Sequence, residues 1–175
     1  ELPEGMKYYR SPKSYNSQLG VPLSVLMLEG DEELAIFEAG ISKPGEMERL
    51  ERIIRPDAVI FTSIGDAHQE NFINLEQKCD EKMILARSAS KIIYHSYYEP
   101  LGGMVAARFA DRKPLDAASF PEVPESVIGN AASRRNAQIV EAFCAAMHYP
   151  APSFASAPTG PMRLEGKGGI NDSIL

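Results

Sequence analysis

Three residues of the sequence have side chains and positions suited to metal binding or proton transfer. Glu38 follows an apolar run in "ELAIFEAGISKPGE" (33–46), and a glycine two positions later lets a ligand approach the backbone. His68 and Glu70 follow a second apolar run in "DAVIFTSIGDAHQENF" (57–72). Carboxylate oxygens suit Mg²⁺, which binds few protein groups and completes its shell with water and phosphate oxygens. If the two runs are neighbouring strands of one sheet, the three side chains meet at one edge.

The hydrophobic pattern predicts the elements that position these groups. Strands are predicted over 33–38, 57–65 and 91–96. The first two are predicted to be buried, and the first is predicted to be buried on both faces. Helices are predicted from Gly20 and over 45–55, 74–89 and 133–149. The segment 113–130 is rich in proline and small residues and is predicted to be a loop. Strands and helices alternate without hairpin signals, which indicates an α/β fold with a mostly parallel sheet flanked by helices. Ligands of such sheets bind beyond the carboxyl ends of the strands.

Composition excludes several classes of function. The chain of 175 residues has a net charge of −6, which opposes a non-specific nucleic-acid surface. No stretch approaches the roughly 20 apolar residues that span a bilayer, so a cytoplasmic protein is expected. Cys79 and Cys144 lie outside any CxxC pattern and are predicted to be buried thiols rather than zinc ligands or a disulfide.

Spacing alone leaves the role of each candidate open. Glu38 also fits a solvated acid at a strand end, and His68 a capping or surface group. Lys82, on the helix after His68, fits an ordinary surface lysine, and Asn136 on the last helix carries no signal of its own.

Five segments together resemble a known family. They are "SYNSQLGVPLSV", "FEAGISKPGEMERLERIIRPDAVIFTSIGDAHQENF", "LEQKCDEKMIL", "RRNAQIVEAF" and "MRLE", in the order seen in the Mur ligases. The resemblance covers 11–95 closely and 131–165 more loosely, and it is greatest to the MurF branch, which adds D-alanyl-D-alanine to UDP-N-acetylmuramoyl-tripeptide. It implies a central ATPase-type domain truncated at both ends, with 1–149 as the central domain, 150–161 as a linker and 162–175 as the start of a C-terminal ligase domain.

The resemblance also implies roles for individual residues. Glu38 matches the family's magnesium-binding glutamate, and His68 matches a histidine that helps to hold a second magnesium. Lys82 matches a lysine that family members carry as a carbamate, a change that turns a cation into a carboxylate ligand. Asn136 matches an asparagine near the adenine ring of ATP, and Arg163 matches an arginine that approaches the nucleotide after domain closure.

The substrate segment departs from the family pattern. Ser14, Asn16 and Ser17 stand where the MurF branch reads Asn-x-Asn-Asn and faces the UDP-sugar-peptide, so two asparagines are serines here. This variant resembles members that are fused to an alanine racemase, which implies such a domain in the parent protein.

Two further departures concern ATP binding and the length of the domain. The Gly-rich phosphate loop expected before Ser11 is absent, and 96–130 is shorter than the family implies. Without that loop, the chain is expected to fold without turning over.

The activity implied is ATP-dependent amide formation through an acyl phosphate, with Mg²⁺ as cofactor. One alternative is a non-catalytic α/β module that binds a nucleotide-sugar or a protein. Another is a different ligase of the superfamily, such as a folylpolyglutamate synthetase, against which "SYNSQLGVP" argues.

Overall fold

The computed structural model describes residues 5–65 and 67–154, which form two compact units. The amino-terminal unit contains 5–59 and 68–90, and the carboxy-terminal unit contains 60–65, 67 and 91–154. In chain order the main elements are β1 (Tyr8–Arg10), α1 (Gly20–Val25), β2 (Leu34–Ile36), α2 (Met47–Ile54), β3 (Ala58–Ile60), α3 (Leu75–Met83), β4 (Lys91–Tyr94), α4 (Leu101–Arg108), β5 (Leu115–Asp116) and α5 (Ala131–Ala146). Short 3₁₀ helices span Gln69–Asn71, Ile84–Ala86, Ala110–Arg112 and Ala117–Ser119.

The amino-terminal unit is built on a parallel pair of strands. β1 and β2 are in register with Tyr8 opposite Leu34 and Arg10 opposite Ile36. Parallel strands end at the same edge of the sheet, so the segments after Arg10 and Ile36 leave the pair side by side. A core of Val21, Ile41, Met47, Leu50 and Phe72 packs within this unit.

Helix α2 buries one stripe of its surface. The apolar pattern of 45–55 predicts that Met47, Leu50, Ile53 and Ile54 all face inward. Met47 and Leu50 are buried and Ile54 packs on the core, but Ile53 is 39% exposed, so the prediction is wrong for Ile53. At 3.6 residues per turn, Ile53 lies roughly 120° around the helix from Met47, whereas Ile54 lies within about 20° of it.

The second sheet has three strands in the order β3-β4-β5; β4, β5 and the last residue of β3 belong to the carboxy-terminal unit. β4 and β5 are parallel, with Ile93 opposite Leu115. A core cluster of Ile93, Ala117, Ile139 and Ala142 packs within this unit, with α5 supplying the last two. The two residues of β5 lie in the segment predicted to be loop, because a strand of this length leaves no periodic pattern.

The fold class is as predicted, but two expectations about the strands are wrong. β2 is not buried on both faces: Leu34 and Ile36 on one face are half-buried, and Ala35 on the other face is exposed. β2 and β3 are not hydrogen-bonded neighbours either: β2 belongs to the two-stranded sheet and β3 to the three-stranded one. Local patterns identify strands but not their partners. None of the described helices has the length and apolarity needed to cross a membrane.

Candidate functional site

The carboxyl ends of β1 and β2 bring Asn16 and Glu38 together. The Asn16 side-chain amide Nδ2 donates a hydrogen bond to Glu38 Oε1 at 2.7 Å. The Asn16 carbonyl accepts from the backbone N–H of Gly40 at 2.7 Å, and its own N–H donates to the Ser14 carbonyl at 2.8 Å. Asn16 therefore ties the segment after β1 to the segment after β2 and orients the half-buried Glu38 carboxylate.

The segment after β1 is fixed by its connection to α1. The Ser17 hydroxyl accepts from the backbone N–H of Gly20 at 3.1 Å, where α1 begins. Gly20 is needed here because a Cβ at this position would lie 2.7 Å from Tyr15 Cα. Ser14 and Ser17 are exposed, so their predicted contact with substrate stays a prediction.

The turn after β2 is braced from two sides. Glu46 Oε2 accepts from the backbone N–H groups of Ser42 and Lys43 at 2.7 and 3.2 Å. Glu81 on α3 accepts from the Gly45 N–H at 2.9 Å. These bonds hold the turn near α3, the helix that carries Lys82.

Lys82 is half-buried on α3, and its role as a carbamylated ligand stays a prediction. Burial lowers the pKa of Lys82 below its ordinary value of 10.5, and the positive charge of Lys78 lowers it further. The negative charge of Glu38 acts on Lys82 in the opposite direction. Asn16 and Glu38 are thus in direct contact, and the charges of Glu38 and Lys78 both act on Lys82. The sequence analysis missed Lys78.

His68 lies at the start of the short helix Gln69–Asn71. It is exposed and has a left-handed backbone with φ of 60°, and its carbonyl accepts from the Asn71 N–H at 3.1 Å. Glu70 is also exposed. Within 5–65 and 67–154, no group of three or more His, Cys, Asp or Glu side chains could hold a metal ion. The role of His68 at a second magnesium stays a prediction.

Asn136 lies on α5 in the carboxy-terminal unit and is half-buried. Beside it in sequence, the Arg135 guanidinium lies 3.8 Å from the centroid of the exposed Tyr97 ring, and its Nε donates to the Tyr98 hydroxyl at 3.3 Å. The role of Asn136 near adenine is a prediction that these contacts leave open. Arg163 lies outside the described residues.

A polar network of His95, Gln138 and the Phe120 carbonyl lies in the carboxy-terminal unit, and the sequence analysis missed it. His95 Nδ1 accepts from the Tyr97 N–H at 3.2 Å, so the ring proton lies on Nε2, which is 3.1 Å from Gln138 Oε1. Gln138 Nε2 donates in turn to the Phe120 carbonyl at 2.7 Å. The network links the end of β4, α5 and the segment after β5.

The part of the chain that contains Glu38 matches a known protein family. Residues 3–108, which include Asn16, Glu38, His68 and Lys82, match the family described as the Mur ligase middle domain. The chain belongs to the Mur ligase family. This confirms the resemblance found in the sequence.

Relatives and solved structures agree with this membership. The chain is 43% identical over 81 residues to the UDP-N-acetylmuramoyl-tripeptide--D-alanyl-D-alanine ligase of Borreliella burgdorferi, a match that covers 46% of the chain and 18% of the relative. It is 31% identical over 77 residues to the ligase of the same name from Bacillus subtilis, covering 44% and 17%. A crystal structure of MurF from Acinetobacter baumannii superposes with a TM-score of 0.67 at 19% identity, over 82% of this chain and 38% of that one, which supports the fold. The matched segment thus spans less than a fifth of the length of these two relatives.

Proposed function

We propose that this chain is the central-domain part of an ATP-dependent ligase that adds D-alanyl-D-alanine to UDP-N-acetylmuramoyl-tripeptide. The names of the curated relatives support the choice of substrates. The observation that carries the proposal is the site at the carboxyl ends of β1 and β2, where the Asn16 amide orients Glu38 and Lys82 lies within electrostatic range of that carboxylate. A ligase needs such a site, because its reaction concentrates negative charge on phosphate and carboxylate oxygens.

Glu38 and Lys82 fit a magnesium site if Lys82 is carbamylated. Glu38 supplies a carboxylate whose direction is set by the Asn16 hydrogen bond, and Mg²⁺ requires only one or two protein carboxylates. Lys82 as an ammonium would repel a cation, whereas Lys82 as a carbamate would be a second oxygen ligand. Glu38 and carbamylated Lys82 would therefore hold one Mg²⁺, and His68 would help to hold another. Bound magnesium would offset negative charge on the phosphate oxygens.

In the proposed reaction, the substrate carboxylate attacks the γ-phosphoryl group of ATP, and the amine of D-alanyl-D-alanine then displaces phosphate from the acyl phosphate. The chain's contribution is to position groups. Asn16 holds Glu38, and the exposed Ser14 and Ser17 would face the UDP-sugar-peptide. Asn136 and Arg163 would bind the nucleotide.

The test is ligation by the full-length product of the gene, because the chain spans less than a fifth of its relatives. ADP release is measured with Mg²⁺, UDP-N-acetylmuramoyl-tripeptide and D-alanyl-D-alanine, with each substrate omitted in turn. Release that requires both substrates is expected. A folded full-length protein that releases no ADP under these conditions would favour a non-catalytic binding module.

Variants of the full-length protein test the role of Glu38. Glu38→Ala is expected to abolish ligation while leaving the thermal unfolding midpoint close to that of the parent. Glu76→Ala removes an exposed carboxylate on α3 and is the matched control, expected to keep ligation. Ligation retained by Glu38→Ala would reject its metal-binding role.

The proposal also covers the cellular compartment and the domain composition of the enzyme. We place it in the cytoplasm, for which the buried free thiols of Cys79 and Cys144 are the expected state. We also propose a fused alanine racemase domain in the parent protein, and racemisation of L-alanine by the full-length product would test it.

A further inference from the structure

Arg135, on α5, is held by two tyrosine side chains of the segment that follows β4. Its guanidinium carbon Cζ lies 3.8 Å from the centroid of the Tyr97 ring and 5.6 Å from the centroid of the Tyr98 ring. Its Nε donates a hydrogen bond to the Tyr98 hydroxyl at 3.3 Å. The contact with the ring face and this hydrogen bond together restrict the orientation of the guanidinium.

The two tyrosines are themselves supported by a buried histidine. His95 is 5% exposed, and its ring makes edge contacts with Tyr97 and Tyr98 at centroid distances of 6.3 and 5.7 Å. His95 is held in turn by Gln138, which lies on α5 three residues after Arg135. The guanidinium is therefore oriented by groups whose own positions are fixed by packing and hydrogen bonds.

The outer nitrogens of Arg135 are not used by the fold. Among residues 5–65 and 67–154, Nη1 and Nη2 have no hydrogen-bond partner, and no carboxylate forms an ion pair with Arg135. The adjacent Arg134 differs, because its Nε binds Glu122 at 2.8 Å and its Nη1 donates to two backbone carbonyls. Arg134 thus holds the chain together, whereas Arg135 offers oriented, charged donors to another molecule.

The position of Arg135 is one where ligands of α/β proteins bind. β4 and β5 are parallel, so they end at the same edge of their sheet, and Arg135 contacts the segment that follows β4 there. Ligands of parallel sheets bind beyond the carboxyl ends of the strands. Arg135 is also half-buried, so its charge is screened less than that of a fully exposed arginine.

We propose that Arg135 binds an oxyanion, a phosphate or a carboxylate, through Nη1 and Nη2. Either group has two oxygens spaced to accept from the fork of a guanidinium, and such charge-assisted contacts are about twice as strong as neutral hydrogen bonds. Because the guanidinium is already oriented, binding costs less side-chain entropy. The site uses a residue to which the proposed function gives no role, and it does not depend on that function.

The experiment measures anion binding by this 175-residue chain with NMR. The ¹⁵N-labelled protein is titrated with inorganic phosphate and, separately, with acetate, while chloride keeps the ionic strength constant. The backbone amide shifts of Tyr97 and Tyr98 report binding in the parent chain and in every variant. The two titrations distinguish the sources, since the anion that saturates the shifts at the lower concentration identifies the site as one for phosphate or for carboxylate.

Variants of Arg135 assign the site. Arg135→Gln and Arg135→Met remove the charge, and Arg135→Lys keeps the charge without the fork. Arg112→Gln is the matched control, because it removes an exposed arginine of the same unit whose guanidinium lies 5.5 Å from the centroid of the Phe109 ring. Circular dichroism confirms that each variant is folded, and two neutral variants prevent a folding defect in one from deciding the result.

The expected result is a saturable shift in the parent chain and the same dissociation constant in Arg112→Gln. In the neutral Arg135 variants the dissociation constant should rise by about tenfold or more, as hydrogen bonds to a charged group are lost, and Arg135→Lys should lie between them and the parent. No saturable shift with either anion, or an unchanged dissociation constant in a folded neutral variant, would overturn the proposal. Either result would leave the proposed function in place, because the ligation assay on the full-length protein tests that separately.

Discussion

Replacing Asn16 by Asp tests the contact at the centre of the candidate site. The Asn16 amide donates to Glu38 Oε1 at 2.7 Å, so the variant puts one carboxylate against another with almost no change in side-chain size. Two carboxylates this close cannot both stay ionised at little cost, and the pair retains a proton to a higher pH than either group alone. The folded protein then binds more protons than the unfolded chain between the ordinary carboxyl pKa and the raised one, so its stability falls as the pH rises through that window.

The pair can avoid the repulsion by keeping one proton. The loss of stability therefore cannot exceed the free energy needed to keep that proton bound. At about pH 7 this limit is about 3.7 kcal/mol, from about 1.36 kcal/mol per pKa unit and an ordinary Glu pKa of about 4.3. At about pH 5 the same limit is only about 1 kcal/mol. Both side chains are half-buried and Lys82 is nearby, so water and a positive charge weaken the repulsion. We expect a loss of about 2 kcal/mol at neutral pH and less than about 1 kcal/mol at the lower pH.

Denaturant unfolding of the parent chain, Asn16→Asp and Asn16→Ala at the two pH values gives the comparison. Asn16→Ala loses the same hydrogen bond without adding charge, so its deficit of about 1 kcal/mol should be equal at both. If the deficit of Asn16→Asp matches that of Asn16→Ala at both pH values, the two side chains are not in contact and the reasoning fails.

Three further predictions concern other residues of the amino-terminal unit. Gly20→Ala should lower the free energy of unfolding by about 2–3 kcal/mol, because its Cβ would lie 2.7 and 2.8 Å from the Cα and C atoms of Tyr15. Gly129→Ala, in the other unit, meets nothing within 4 Å and is the control; equal losses would contradict the close approach. Lys82 has a pKa below 10.5 in the folded protein, so the unfolded chain holds the extra proton and stability should rise with pH toward 10.5. In Lys82→Met the denaturant midpoint should rise less with pH than it does in the parent chain. Midpoints that rise equally with pH in both proteins would contradict the prediction. Cys79 is fully buried and its pKa is raised to about 11, chiefly by burial. A thiol reagent should therefore label Cys79 only at the rate of unfolding, and rapid labelling of the native chain would show that the site is open.

Elements with a strong local pattern could be predicted from the sequence. α2 and α5 lie where the 3.6-residue periodicity and the flanking Gly and Pro residues place them, within about three residues at their ends. α3 begins one residue after its predicted start but ends at Met83 rather than at 89, because a 3₁₀ helix follows it. The family could also be predicted, because the motifs around Glu38, His68 and Lys82 stand in a fixed order along the chain.

The sequence did not show which strands are neighbours or which polar side chains meet. The pairing of β2 with β1, the Asn16–Glu38 hydrogen bond and the His95–Gln138 network join residues 22 to 43 positions apart. Hydropathy patterns report only which face of an element is apolar, so they carry no information on such partners.

The sequence by itself determined the family, the α/β class and the residues with candidate chemistry, because these depend on residue type and local order. Only the tertiary structure decided that Lys82 is half-buried and feels the charge of Glu38, that Asn16 holds this carboxylate and that Lys78 lies buried one turn away. The physical reason is that burial and electrostatic interaction arise when α3 packs against α2 and Glu81 on α3 binds the turn after β2. In that environment burial and the charge of Lys78 lower the pKa of Lys82, which residue type and spacing alone did not indicate.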